Sequence, residues 1–135
     1  MRINSATELE VYKTAYALAM DIYQESRNFP REEIYSLTSQ IRRSSRPVCL
    51  NLREAWAKRR YEAHFISKLT DCDGESAETE TSLQFAKDCG YITESTFLEL
   101  TDRNRSIGRM LGAMLRNPGP FLLKSNLSQT ESDKS

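Results

Sequence analysis

A run of basic side chains lies in the middle of the sequence. Between residues 42 and 60 there are seven Arg or Lys residues and one acid, Glu54, although the whole chain of 135 residues carries no net charge. Arg side chains bind phosphate oxygens through paired hydrogen bonds, and clustered cations attract nucleic acid. The segment therefore predicts a nucleic-acid-binding surface. Its candidate residues are Arg42, Arg43, Arg46, Arg53, Lys58, Arg59 and Arg60.

Ion pairing is the alternative use of these charges. Four of the basic residues follow one another at intervals of four, seven and seven, which places them on one side of a helix. They are Arg42, Arg46, Arg53 and Arg60. A run of acids follows with no base between them, and it could supply partners within the chain or across a subunit interface. These acids are Asp71, Asp73, Glu75, Glu78 and Glu80. The sequence leaves both interpretations open.

Other residue patterns that could support chemistry are incomplete. His64 is the only histidine, and Tyr61 stands where a Glu-x-x-His metal pair would need a carboxylate. A calcium loop ending at Glu80 would begin at Leu69, whose side chain offers no oxygen. We therefore expect a protein that is not an enzyme, with no catalytic residue, no cofactor and no metal.

The segments that position these residues have the period of amphipathic helices. The first is predicted over residues 8–28, with Thr7 as its cap. The second follows Pro30 and continues through Pro47, where we expect a kink but no break, because the apolar pattern keeps its register. A turn is predicted within residues 58–62.

The third and fourth helices have clearer ends. Cys89-Gly90 is predicted to end the third, since glycine favours the left-handed conformation that terminates helices. Thr93 is predicted to begin the fourth, and Asn117-Pro118-Gly119-Pro120 to end it. The fold class is therefore an all-α, antiparallel, up-down four-helix bundle.

The predicted domain organisation is one bundle with two flexible ends. Residues 1–6 form a flexible N-terminus, residues 7–117 the bundle, and residues 118–135 a flexible, disordered tail, because the last eleven residues contain a single apolar side chain. The predicted core positions repeat every three or four residues. They are Leu9, Tyr12, Ala15, Tyr16, Ala19, Ile22 and Tyr23, then Ile34, Leu37, Ile41, Ser45, Val48, Leu52 and Ala55, then Phe65, Leu69, Cys72, Ser76, Thr79, Leu83 and Ala86, and last Phe97, Leu100, Asn104, Ile107, Leu111 and Met114.

Two further features of the second helix concern its polar and aromatic side chains. Asn51 and Glu54 are three residues apart, and we interpret them as a buried polar network beside the kink at Pro47. Trp56 is either a core residue or an interface anchor.

Several segments resemble a known family. The matching residues are Phe29-Pro30-x-x-Glu33, Leu37-x-x-Gln40-Ile41-Arg42-Arg43, Asn51, Glu54, Gly74, Glu78, Glu80 and Gly90-Tyr91. Together they resemble the four-helix-bundle family of the 23S rRNA-intervening sequence protein, to which the accessory variability protein of diversity-generating retroelements is related. The resemblance covers residues 8–116.

The resemblance implies an assembly and a set of partners. Members of this family look like ring-shaped homo-oligomers, typically pentamers, without enzymatic activity, and the retroelement relatives bind a reverse transcriptase and RNA or DNA through a basic surface. A homo-oligomer also suits the number of large aromatic residues, some of which we expect at an interface, with a dimer as the alternative to a pentamer. These residues are Tyr12, Tyr16, Tyr23, Tyr35 and Trp56.

The location of the protein is predicted from its cysteines and its hydropathy. Cys49, Cys72 and Cys89 are odd in number and far apart, which favours free thiols and a cytoplasmic location. The N-terminal residues lack the pattern of a signal peptide, and no apolar run is long enough to cross a membrane. We expect no membrane partner.

Overall fold

Four α-helices make up the architecture. The computed structural model describes residues 3–123, with α1 at Glu10–Ser26, α2 at Leu37–Ala57, α3 at Glu62–Asp88 and α4 at Glu94–Arg116. Each helix packs on the next along the chain, α4 packs back on α1, and α2 with α3 form the most extensive contact. Within residues 3–123 there is no strand. The predicted all-α, up-down four-helix bundle is confirmed.

The core follows the predicted stripes closely in the last three helices. Every predicted core residue of α3 and α4 is buried, and so is every one within α2. Ile34 is an exception, because it precedes α2 and is 51% exposed. In α1 the buried face is rotated, so that Val11 and Leu18 are buried while Tyr16 is 55% exposed. Val11 and Leu18 have no polar side-chain atom, whereas a tyrosine at the edge of the buried face keeps its hydroxyl in water.

The helix ends have identifiable causes. Thr93 caps α4 by accepting a hydrogen bond from the Thr96 N–H at 3.0 Å. Gly90 has φ +79° and ends α3, with the Tyr91 N–H donating to the Ala86 carbonyl at 2.8 Å. The predicted cap at Thr7 is wrong, because Ala6–Glu8 forms a 3₁₀ turn capped by Ser5, and α1 begins at Glu10. The helix α2 is continuous through Pro47, and the kink stays a prediction.

Both ends of the described chain pack against the bundle. Ala6 is fully buried, although we placed it in the flexible N-terminus. After α4, Gly119–Phe121 forms a 3₁₀ turn, the Phe121 ring lies 6.3 Å from the Phe65 ring, and Leu122 is buried. These apolar side chains extend the folded part beyond residue 117, and the rest of the predicted tail, from residue 124, lies outside the described residues.

The loop between α1 and α2 is tied to the turn between α3 and α4. The Tyr91 hydroxyl donates to Glu33 Oε2 at 2.7 Å, and Glu33 Oε1 accepts from the Ser36 hydroxyl at 2.6 Å and the Leu37 N–H at 3.2 Å. The Phe29 ring packs 5.5 Å from the Tyr91 ring. We call Phe29, Glu33, Gly90 and Tyr91 the loop latch. These hydrogen bonds from Ser36, Tyr91 and Leu37 lower the pKa of the Glu33 carboxyl.

A buried polar cluster links three helices at the middle of the bundle. The Thr79 and Ser44 hydroxyls are 2.9 Å apart, and Asn104 and Ser76 exchange two hydrogen bonds of 2.9 and 3.2 Å. The predicted network at Asn51 and Glu54 is wrong, because Glu54 faces solvent and pairs with Lys68 at 3.0 Å. Near Pro47 on α2, the Ser45 hydroxyl instead donates a hydrogen bond to the Ile41 carbonyl at 2.7 Å.

Candidate nucleic-acid interface

Three arginines of α2 lie along its solvent side and form the arginine stripe, namely Arg42, Arg46 and Arg53. Two of them contact α1. The guanidinium carbons of Arg42 and Arg46 lie 4.7 and 5.5 Å from the centre of the Tyr23 ring, and Arg42 Nε donates to the Ser26 hydroxyl at 2.8 Å. Cation–π contact orients these guanidinium groups without neutralising their charge. Contacts with α1 therefore orient two of the three arginines, and the arginine stripe keeps its positive charge.

Arg43 points away from the stripe, towards α3. It lines a groove of about 630 Å³ between α2 and α3, together with Glu75, Glu78 and the exposed Phe85. Burial and the neighbouring Glu78 raise the pKa of the Glu75 carboxyl. The structure thus places Arg43 among acids, separate from the other arginines of α2.

The three remaining basic residues surround the end of α2. Arg59 folds over Trp56, with its guanidinium carbon 3.9 Å from the ring centre and its NH1 donating to the Trp56 carbonyl at 2.7 Å. Lys58 and Arg60 are exposed. Because α2 ends at Ala57, helical spacing no longer relates Arg60 to the arginine stripe. Trp56 is half-buried and packs against the core, and its role as an interface anchor stays a prediction.

The ion pairs of the described residues involve other bases. Lys68 pairs with Glu54 and Asp71, Arg105 pairs with Glu80, and Arg103 pairs with Asp21 and Glu99. Within residues 3–123, none of the seven candidate basic residues has a carboxylate within 4.0 Å. In the described part of the molecule these residues therefore form no close ion pair, although the charge of Lys58 adds to that of Lys68 in lowering the pKa of the Glu54 carboxyl. Pairing between subunits stays open.

An exposed apolar and aromatic surface adjoins the arginine stripe. The helix α1 exposes Tyr16 and Met20, and α2 exposes Leu50, with exposed fractions of 55%, 45% and 62%. The Tyr12 ring stacks on Tyr16 with centroids 6.2 Å apart. The sequence pattern places Tyr12 and Tyr16 in the core stripe and also among the possible interface aromatics, whereas the structure has Tyr12 half-buried and Tyr16 exposed. The signal in the sequence is that tyrosines occupy the edge of the apolar stripe in α1, where a hydroxyl can reach water.

The remaining candidates for chemistry are dispersed. His64 is exposed and lies edge-on to the Tyr61 ring at 5.7 Å. Burial raises the pKa of the Cys49 thiol to about 11 and that of Cys72 to about 12, so both are protonated at neutral pH. Asp71, Asp73 and Gly74 lie within the continuous helix α3, which precludes a calcium loop there. Among residues 3–123, no group of three or more His, Cys, Asp or Glu is arranged to hold a metal ion.

No helix in the described part of the chain has the length and apolar character that crossing a bilayer requires.

No curated protein matches the sequence. One similar crystal structure is that of a protein of unknown function from the S23 ribosomal protein family of Bacteroides thetaiotaomicron. It superimposes with a TM-score of 0.73 at 25% identity and covers 79% of this chain and 96% of that protein. The model of the 23S rRNA-intervening sequence protein family matches residues 7–113. This chain therefore belongs to the 23S rRNA-intervening sequence protein family.

Proposed function

We propose that this protein is a non-enzymatic, homo-oligomeric accessory factor that binds nucleic acid through the basic surface of α2. The observation that carries the proposal is the absence of ion pairs at the candidate basic residues within residues 3–123, combined with the surplus of positive charge in this segment. The acids of α3 that could neutralise them are paired elsewhere or lie outside 4.0 Å. A segment with six net positive charges attracts a polyanion.

Assembly strengthens this proposal. The resemblance leads us to propose a closed ring of identical subunits, a pentamer in preference to a dimer. Each subunit added to a ring repeats the arginine stripe, so the electrostatic potential of the surface grows with the number of copies. A long polyanion bound by several copies at once gains from their high effective concentration.

The partners are proposed from relatives. The family name refers to 23S ribosomal RNA, and the similar Bacteroides protein is assigned to a ribosomal protein family. Both names support a nucleic-acid context. The resemblance to the accessory variability protein of diversity-generating retroelements adds a reverse transcriptase as the proposed protein partner. Three free thiols support a cytoplasmic location.

The absence of enzymatic activity is part of the proposal. The buried thiols of Cys49 and Cys72 have raised pKa values, which makes them poor nucleophiles. The exposed His64 contacts an aromatic ring and has no carboxylate that could orient it among its described contacts. A general base needs such a positioned partner.

A protein-binding or scaffolding bundle without a nucleic-acid ligand is the second candidate. It is favoured by the large hydrophobic side chains on the surface, of which Tyr35 is 95% exposed, Leu50 62% and Phe85 59%. Contact with another protein would bury such side chains.

A filter-binding titration distinguishes the two functions. The wild-type protein and Arg46→Ala/Arg53→Ala are titrated with RNA and with DNA at two salt concentrations, and their oligomeric state is measured by light scattering. We expect wild-type binding that weakens steeply with salt, and weaker binding by a double variant that still assembles. If the wild-type protein is correctly assembled and binds neither RNA nor DNA at low salt, the proposed nucleic-acid function is wrong. Loss of assembly in the double variant would assign these arginines to the subunit interface.

A further inference from the structure

The surface beside the arginine stripe combines charges with rings that face solvent. Tyr23 and Tyr16 are seven residues apart on α1, and Arg46 and Arg53 are seven residues apart on α2. Because the two helices are antiparallel and Tyr23 contacts Arg46, a step of two turns along each helix brings Tyr16 to the level of Arg53. On α1, Met20 lies between these two levels. We call this surface the α1–α2 face.

The composition of the α1–α2 face distinguishes between forms of nucleic acid. In a duplex the bases are paired and stacked on one another, so a flat basic surface reaches only the phosphates. A duplex would therefore contact the arginine stripe and leave the Tyr16 and Met20 side chains exposed to water. In a single strand the bases are free to stack on aromatic rings while the backbone follows the cations.

From this arrangement we propose that the α1–α2 face binds single-stranded nucleic acid, with bases stacking at Tyr16 and phosphates held by Arg46 and Arg53. This proposal rests on the nucleic-acid function proposed above and narrows it to single strands. The distance between Tyr16 and Tyr23 along α1 is about 10 Å, which is close to the length of three stacked nucleotides at about 3.4 Å each.

The charge of the α1–α2 face complements that of this occupant. Arg42, Arg46 and Arg53 present three positive charges, and no carboxylate lies within 4.0 Å of them in the described part of the molecule. A phosphodiester backbone supplies one negative charge for each nucleotide, at a spacing that a row of arginines can match. Exposed Met20 offers apolar area for the faces of the bases.

The test compares one oligonucleotide in two forms. A labelled strand of about 20 nucleotides, which exceeds the site size of a small binding surface, is titrated alone and annealed to its complement. Wild-type protein, Tyr16→Ala, Tyr16→Phe and Phe85→Ala are compared by fluorescence anisotropy at low salt. Phe85 is the matched control, because its ring is exposed to a similar extent, 59%, in the groove between α2 and α3.

We expect the wild-type protein to bind the single strand about tenfold more tightly than the duplex, since stacking contributes about 1–3 kcal/mol per base. Tyr16→Ala should lose about tenfold in affinity for the single strand and keep its affinity for the duplex. Tyr16→Phe should keep both affinities, because phenylalanine retains the ring, and Phe85→Ala should match the wild type. Circular dichroism verifies that each variant is folded.

Three results would overturn the proposal in different ways. If neither form binds, the proposed nucleic-acid function fails and this inference fails with it. If duplex and single strand bind equally and Tyr16→Ala has no effect, the preference for single strands is wrong while the nucleic-acid function stands. If Tyr16→Ala reduces the assembled mass in light scattering, a second copy of the chain covers the α1–α2 face.

Discussion

The loop latch and the arginine stripe both carry polar side chains, but the two regions differ in how those side chains are paired. In the loop latch the Glu33 carboxylate accepts three hydrogen bonds from within the chain, and Gly90 adopts a conformation that other residues rarely accept. In the arginine stripe the guanidinium groups rest on Tyr23 or face solvent, and no carboxylate among the described residues is paired with them.

The difference separates residues that hold the fold from residues that are available to a partner. A polar group whose hydrogen bonds are satisfied internally is explained by stability, because breaking such bonds costs free energy. A cluster of like charges repels itself, and a cation–π contact such as those with Tyr23 adds only about 0.5–1 kcal/mol at an exposed site. Substitutions in the loop latch should therefore change the free energy of unfolding, and substitutions in the arginine stripe should change binding.

The largest effect on stability is expected in the loop latch at Phe29. Its ring is 9% exposed and packs on Tyr91, so Phe29→Ala should lower the free energy of unfolding by about 3 kcal/mol. Phe85→Ala, at an exposed ring on α3, should change it by less than about 0.5 kcal/mol. Urea denaturation of both variants measures the contrast. Equal effects would show that the loop latch is no more important to the fold than the surface.

Two glycines provide a sharper comparison of backbone conformation. Gly90 has φ +79°, and Gly90→Ala should destabilise the protein by about 1 kcal/mol, because alanine is strained there. Gly74 lies within α3, with nothing within 4 Å of an added methyl group, and Gly74→Ala should stabilise the protein by about 0.5–1 kcal/mol. Thermal unfolding of the two variants should shift in opposite directions. A shift of the same sign in both would contradict the role given to Gly90.

A smaller and pH-dependent effect is expected at Tyr91. Tyr91→Phe removes the hydrogen bond to Glu33 and should destabilise the protein less than Gly90→Ala. The pKa of Glu33 is lowered in the folded state, so its carboxylate contributes stability above its unfolded pKa of 4.5, and this contribution is lost as the pH falls through the lower folded value. The difference between wild type and Tyr91→Phe should therefore shrink below pH 4.5. Unfolding curves of both proteins at several pH values measure this difference in the free energy of unfolding. A difference that does not change with pH would show that the hydrogen bond to the ionised Glu33 is unimportant.

The sequence predicted most of the fold because three helices have unambiguous apolar stripes and clear ends. Thr93, Gly90 and the buried residues of α3 and α4 other than Ser82 and Thr101 were identified from local pattern. The rotation of α1 was missed, since its alanines and tyrosines fit two neighbouring faces, and packing against α2 and α4 decides between them. The hydrogen bond between Glu33 and Tyr91 joins residues 58 positions apart, which no local pattern indicates.

The candidate site was predicted in composition and only partly in geometry. Charge counting found the seven basic residues, but it could not tell that Arg43 turns towards α3 while Arg42 and Arg46 turn towards α1. Helix periodicity suggested that Arg60 continues the stripe, and the end of α2 at Ala57 removes that relation. The acids of α3 were expected partners of the arginines. Lys68 and Arg105 pair with two of them instead, because side-chain reach across helices depends on the packing.

The salt dependence of nucleic-acid affinity tests the central claim, which is that the arginine stripe is free to bind phosphates. Association constants for a single strand are measured over a range of salt concentrations for the wild type and for Arg46→Ala/Arg53→Ala, after denaturation curves establish that the two proteins are equally stable. Each phosphate neutralised on a single strand contributes about 0.7 to the slope of log K against log salt, so the double variant should have a slope smaller by about 1.4. Equal slopes with equal affinities, or a marked loss of stability in the double variant, would contradict the account.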